Sequence, residues 1–198
     1  MEIPIFPLNG AVLFPGTSLP LNIFESRYIE MIDYALARNR LIGMIQTDDK
    51  NNLYNIGCVG RIHSFNETRD GRYLISLLGT NCFKINKELA LNYNFRRVSI
   101  EIIKESKINK DILSDQKKSK LLILYKKFIE IKKMGIDYNE IESIEIGQVI
   151  KFIAMISPFT NIEKQLLLET LDAEDFYNKL ISIIELEIGG NFKNNSIN

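Results

Sequence analysis

Tryptophan is absent from this 198-residue chain, histidine occurs once, and cysteine occurs twice. Two cysteines cannot supply a disulfide framework, and such usage fits a reducing cytoplasm. Neither charge sign is in excess, with 25 basic and 25 acidic side chains. Overall attraction to nucleic acid or to an anionic membrane is therefore not expected. No long apolar run is present either. The most apolar stretch, Ile144 to Ile156, carries Glu145, Gln148 and Lys151, and is too short and polar to span a bilayer. The first residues, MEIPIF, have no basic segment followed by a long apolar one, so no secretory signal is expected. None of the eleven glycines is followed by lysine, which removes the G-x-x-x-x-G-K-[ST] phosphate loop of an ATPase.

Proline is scarce after the N-terminus. Pro4, Pro7, Pro15 and Pro20 are four of the five. Lacking an N–H, proline sits at strand starts, edges and bulges. Ile3–Leu8, Val12–Phe14 and Leu19–Phe24 therefore read as short, bent strands at the seam of a barrel, with a turn at Pro15-Gly16. From Ser26 the period becomes helical. Tyr28, Ile29, Ile32, Ala35 and Leu36 share one face, opposite Arg27, Glu30, Asp33 and Arg38. Further strands are expected at Leu41–Thr47, Ile56–Phe65, Tyr73–Leu78, Cys82–Asn86 and Phe95–Ile103. Asp70-Gly71 marks a hairpin, because its turn needs residues that tolerate positive φ. In the last strand Val98, Ile100 and Ile102 should point inward and Ser99 and Glu101 outward.

Beyond Ser114, a candidate N-cap, the pattern is helical. Leu121, Leu124, Phe128 and Ile131 form one stripe that ends at Met134-Gly135. Ile144–Ser157 reads as a buried central helix stopped by Pro158, and Thr160 with Glu163 has capping-box spacing for a third helix through Leu171. A fourth should start at Asp172 and reach about Ile188, leaving a disordered tail over residues 189–198. Lys104–Lys133 holds ten lysines against four acidic residues, and Asp137–Ile188 three lysines against eleven acidic residues. Two solvated helical faces that attract one another account for this.

Cys58 and His63 are five positions apart, an odd spacing that points them to opposite faces of a regular strand. They cannot share a metal there, and no acidic partner turns them into a nucleophile pair. Ser119-Lys120, adjacent on a helix, is no catalytic dyad. Arg96 and Arg97, with Tyr93 and Phe95, form a basic and aromatic group of the kind that binds single-stranded nucleic acid.

One family resemblance runs through these residues. Pro7-Leu8, Phe14-Pro15-Gly16, Leu19-Pro20-Leu21, Phe24-Glu25, Arg27-Tyr28, Met31 and Ala35-Leu36 resemble the opening of the substrate-binding N-terminal domain of Lon proteases. The same order continues through Gly57 with Gly60, Asp70-Gly71-Arg72, Leu77–Gly79, Phe83 with Ile85, Glu163-Lys164-Gln165 and Leu167-Leu168-Glu169. The chain is also similar to stand-alone bacterial proteins built from that domain. In one departure, Cys82 stands where the family usually has an arginine, so no role of that arginine carries over. Neither the ATPase nor the serine–lysine peptidase module of a Lon protease is found in these residues.

The expected fold is α+β: a PUA-like β pseudo-barrel with one amphipathic helix over residues 1–105, then a helical bundle over 106–188. The resemblance implies a non-catalytic module for unfolded or apolar polypeptide segments, an adapter for a protease or chaperone, with no cofactor and no metal. The proline-bent loop Asn9–Ser18 should then expose Val12, Leu13 or Phe14, with Pro15, Phe24 and Tyr28 completing the patch. The alternative is a PUA-like RNA-binding module acting through Arg96 and Arg97.

Overall fold

The computed structural model describes residues 1–90, 92–104, 114–136 and 141–195. Six strands and five helices occur among them. The strands are β1 (Glu2–Pro7), β2 (Ser18–Ile23), β3 (Leu41–Ile45), β4 (Ile56–Glu67), β5 (Tyr73–Glu88) and β6 (Arg97–Ile102). The helices are α1 (Ser26–Leu36), α2 (Asp115–Lys132), α3 (Ile146–Ile156), α4 (Asn161–Leu168) and α5 (Ala173–Asn195). The chain forms two compact units, Met1–Glu105 with Pro158–Glu169, and Ser106–Ser157 with Thr170–Asn198. Among the described residues no helix is long and apolar enough to cross a membrane.

In the first unit the strands form one mixed sheet, ordered β2-β5-β4-β3-β1-β6. Only β1 and β3 are parallel, and the chain between them supplies the crossover through β2 and α1. At sixteen residues, β5 does two jobs. Its first half pairs with β2, and its second half pairs with β6. The β5–β6 pairing closes a ring through β4, β3 and β1, so β2 is left as an edge carrying Pro20. Ile3, Ile5, Ile45, Val59, Phe83, Val98 and Ile100 fill the ring. Gly57 makes room for Phe83: a Cβ there would lie 2.7 Å from the ring and 2.4 Å from the Met44 carbonyl oxygen.

Several expected elements are shifted. Tyr73–Leu78 and Cys82–Asn86 are one continuous strand with a bulge against β4 between Gly79 and Asn81, and Gly79 lets the Phe14 carbonyl approach. Val12–Phe14 is not a strand. It leads into a Phe14–Thr17 turn, with Pro15 second, Gly16 third at φ 83°, and the Thr17 N–H donating to the Phe14 oxygen at 3.1 Å. This is a type II turn. Ile102 is 38% exposed rather than inward, because it lies at the last residue of β6. On α1 the inner face is Tyr28, Met31, Ile32 and Ala35, one position away from part of the expected stripe.

The expected single boundary near residue 105 does not describe the units. Helix α4 belongs with the strands, and polar contacts hold it there. Gln46 Nε2 donates to the Asn161 carbonyl at 3.0 Å and to Gln165 Oε1 at 3.1 Å, and Gln165 Nε2 donates to the Ile56 carbonyl at 3.1 Å. Lys164 Nζ donates to the Gly10 carbonyl at 3.3 Å, and burial pushes its pKa down. The capping box is present: Thr160 accepts from the Glu163 N–H while the Glu163 carboxylate accepts from the Thr160 N–H.

In the second unit α2 begins at its expected cap, the Ser114 hydroxyl accepting from the Lys117 N–H. Its buried residues are Leu121, Leu122, Tyr125, Phe128 and Ile129, while Leu124 and Ile131 are only half-buried. The wider period of a straight helix places Tyr125 inward, where its hydroxyl meets that of Ser157 at 3.2 Å. Helix α3 starts at Ile146, two residues later than expected, and buries Val149, Ile150, Ile153 and Ala154. Asp172 caps α5 through the N–H groups of Glu174 and Asp175. That helix continues past Gly189-Gly190 to Asn195, where a disordered tail was expected; residues 196–198 lie outside the described ones. Lys117–Glu174 at 2.7 Å and Lys132–Glu187 at 2.5 Å join α2 to α5, as the charge asymmetry implies.

Candidate functional site

Burial decides first among the apolar residues expected to recognise polypeptide. Val12, Leu13 and Phe14 are 3%, 1% and 1% exposed, and Pro15 is buried with them. The expectation that this loop presents them to solvent is therefore corrected. Its turn is pinned to β5 by the Gly16 N–H on the Gly79 carbonyl and the Gly79 N–H on the Thr17 carbonyl, both at 2.9 Å. The Thr17 hydroxyl also donates to the Phe14 carbonyl at 2.8 Å. Those bonds fold the apolar side chains inward.

Tyr28 is buried too. Its ring lies 4.3 Å from that of Phe6, and the Arg27 guanidinium covers it at 4.5 Å. Burial raises the phenol's pKa, against the pull of Arg27. Phe24 is different. It follows β2 and is 69% exposed.

Phe24 stands beside a face that sequence reading did not single out. Strand alternation places Ser18, Pro20 and Asn22 of β2 opposite in sense to the buried Ile23. Their partners on β5 are Leu78, Ser76 and Leu74, whose neighbours Ile75 and Leu77 point to the core. On β4 the row continues through Arg61, Ser64 and Asn66. Leu74 and Leu78 are 42% and 39% exposed. The three-stranded face thus combines leucine, proline, serine and asparagine with one arginine at its margin and no carboxylate. The run Tyr73–Leu78 carries the signal: apolar residues on both phases of a two-residue period leave one set outside the core.

The basic residues separate. Arg96 makes a two-pronged pair with Glu88, at 2.6 and 2.8 Å, which lowers the Glu88 pKa and raises that of Arg96. Arg97 lies over the Tyr93 ring at 4.8 Å, and its Nη1 donates to the Tyr34 hydroxyl at 3.4 Å. Tyr93 and Phe95 stack at 5.0 Å, and both meet the Tyr34 ring edge-on.

His63 is exposed and occupies the bulge between Ile62 and Ser64. Cys58 and Cys82 are both buried, form no disulfide, and lie directly opposite one another on β4 and β5. Among the described residues no group of three or more His, Cys, Asp or Glu side chains could hold a metal ion.

Comparison with known proteins assigns the chain's lineage. The profile of the ATP-dependent protease La (LON) substrate-binding domain matches residues 2–185. Curated relatives include the Lon protease of Dictyoglomus thermophilum, 27% identical over 94% of this chain and 25% of that protein. Lon protease 1 of Borreliella burgdorferi is 24% identical over 94% of this chain and 26% of that protein. The chain thus spans about a quarter of the length of these relatives.

Two solved structures share the fold. The Lon N-terminal domain protein from Xanthomonas campestris superposes with a TM-score of 0.68 at 21% identity, covering 92% of this chain and 98% of that one. The N-terminal domain of Mycobacterium avium complex Lon protease gives a TM-score of 0.73 at 15% identity, with 93% and 98% covered. With a profile match over nearly its whole length, the chain belongs to the Lon substrate-binding domain family.

Proposed function

We propose that this chain is a non-catalytic polypeptide-binding module that holds apolar segments of unfolded protein on the open face of β2, β5 and β4. In this role it serves as an adapter for a protease or chaperone. The exposed Phe24, one residue past β2, together with the exposed Leu74, Leu78 and Pro20 of the β2–β5 face, carries the proposal. Such a face recognises a ligand by removing apolar area from water, worth about 25 cal/mol per Å². Affinity then depends on aromatic and aliphatic content and little on salt. The RNA-binding alternative has one of its two arginines already neutralised by Glu88, so the polypeptide reading is preferred.

The test compares an unfolded, aromatic-rich peptide with a single-stranded RNA at 50 and 200 mM salt. Peptide binding should change little between the two salts and weaken about tenfold in Phe24→Ser combined with Leu74→Ser. Both positions are solvent-facing, so the variant should melt near wild type. Peptide binding indifferent to this pair would sink the site. RNA binding that falls steeply with salt and is lost with Arg97→Gln would replace the function.

A further inference from the structure

We propose that Tyr34 is the floor of a carboxylate-binding site framed by the guanidinium groups of Arg38 and Arg97, for a carboxylate carried by a polypeptide ligand. The proposal rests on the polypeptide-binding reading for the class of ligand, and on different residues for the site.

The arginines of this chain are not used alike. Arg27 pairs with Glu25 at 2.8 Å, Arg72 with Asp70 at 2.5 Å and Arg96 with Glu88 at 2.6 Å. Arg38, Arg40, Arg61, Arg69 and Arg97 have no carboxylate partner among the described residues, and two of them, Arg38 and Arg97, gather on one ring. The Arg38 Cζ lies 3.6 Å from the Tyr34 centroid, and the Arg97 Cζ lies 5.9 Å from it. Arg38 is tied down by its Nη1, which donates to the Tyr34 carbonyl at 3.1 Å. Arg97 Nε is buried and has no hydrogen-bond partner. A buried charged donor left unmade costs more than one that finds an acceptor. Two forks with donors to spare, held on an aromatic plane, suit a planar carboxylate.

The platform itself is built. Phe95, 3% exposed, wedges against both Tyr34 and Tyr93, so neither ring has to be ordered when a ligand arrives. The surroundings argue for a single compact anion. Glu30 accepts from Asn94 at 2.7 Å, next in sequence to Tyr93, and Glu88 sits on Arg96, next to Arg97. Negative charge held one residue from Tyr93 and from Arg97 repels a run of phosphates more than it repels one carboxylate.

Three synthetic versions of one aromatic-rich peptide decide the matter with the full chain. The first has a free C-terminal carboxylate, the second a C-terminal amide, and the third the amide with one internal glutamate. Binding is measured by fluorescence anisotropy, and the arginine Nε–H resonances are followed by NMR. The free acid should bind about tenfold more tightly than the amide and shift the Arg97 Nε–H signal. If the glutamate peptide matches the acid, side-chain carboxylates are recognised as well; if it matches the amide, the site reads chain ends. Arg38→Gln and Arg97→Gln should each erase the acid's advantage while leaving the amide's affinity unchanged. Arg40→Gln should preserve the advantage. Should Arg97→Gln fail to fold, Arg38→Gln, altered at an exposed side chain, decides alone.

Equal binding of acid and amide to the wild type overturns the proposal, as does an advantage that survives the arginine changes. Inorganic phosphate moving the Arg97 signal where the acid peptide does not overturns it in favour of a phosphate ligand. Phe24→Ser is the separate control. It should weaken all three peptides alike and keep their ratio, so failure of the apolar face and failure of the carboxylate site give different results.

Discussion

Helix α4 is fastened within the strand unit by buried amides, whereas α2 and α5 of the helical unit meet through an apolar layer with lysine–glutamate pairs at its rim. In the first case Gln46 Nε2 donates to Gln165 Oε1, and each glutamine's Nε2 also donates to a backbone carbonyl. In the second, Leu121, Phe128, Phe176, Leu180 and Ile184 are buried, and Lys117–Glu174 and Lys132–Glu187 close the edges. An apolar layer tolerates small slides because its attraction has no direction. A buried amide does not, since a shift leaves donors unpaired. The strand unit therefore fixes a position, and the helical unit chiefly conceals area.

The largest break of that contrast should come from backbone crowding in the strand unit. A Cβ at Gly79 would lie 2.1 Å from the Phe14 carbonyl oxygen, which is itself pinned in a turn. Gly79→Ala should cost about 3–4 kcal/mol, read by denaturant unfolding. A loss under 1 kcal/mol would show that the turn yields. In the helical unit a similar loss needs a charge. Ile153 is fully buried, and Ile153→Asp should cost on the order of 3–5 kcal/mol by burying an unpaired carboxylate. A variant melting within a degree or two of wild type would disprove the α3 packing.

Next in size is the amide pair. Gln165→Leu keeps the volume but leaves one Gln46 Nε2 proton and the Ile56 carbonyl without their partner, at a cost of about 2 kcal/mol. Faster hydrogen exchange should appear in α4 while β1 and β6 stay protected. Uniform exchange across the strand unit would mean that α4 is not separately fastened.

The smallest effect at neutral pH belongs to Tyr125. Burial pushes its phenol from 10.0 up to about 12, although the bond to Ser157 pulls it slightly back. The folded state keeps a proton that the unfolded state releases, so this contribution is complete below pH 10 and is lost towards pH 12. It amounts to about 3 kcal/mol. Tyr125→Phe should cost about 1 kcal/mol at pH 7, by leaving the Ser157 hydroxyl unpaired. The gap to wild type should then close or reverse above pH 10. Parallel stability curves from pH 8 to 11 would contradict the burial of that hydroxyl.

Much of this was legible in the chain because local chemistry dictated it. Pro15-Gly16 marked a turn, which the structure forms as type II, Asp70-Gly71 a hairpin with Gly71 at φ 79°, and Thr160 with Glu163 a helix start. The alternation of β6 and the helical period from Ser26 were readable for the same reason. The candidate site was less legible. Phe24 was recognised, but Val12, Leu13 and Phe14 carry the same apolar character and lie in the core. Hydrophobicity states that a side chain seeks burial, and it does not state whether this chain or a ligand supplies it.

What the sequence by itself determined, then, is the kind of each element, its caps and turns, and membership of a family. Those depend on contacts within a few residues or on a pattern held along the whole chain. Tertiary structure alone decided that β5 would pair with three neighbours, that α4 would join the strands across more than 100 residues, and that Arg38 and Arg97 would meet on Tyr34. Each of these joins groups far apart in the chain, through hydrogen bonds and ring contacts that form only once the packed surfaces have set their distances.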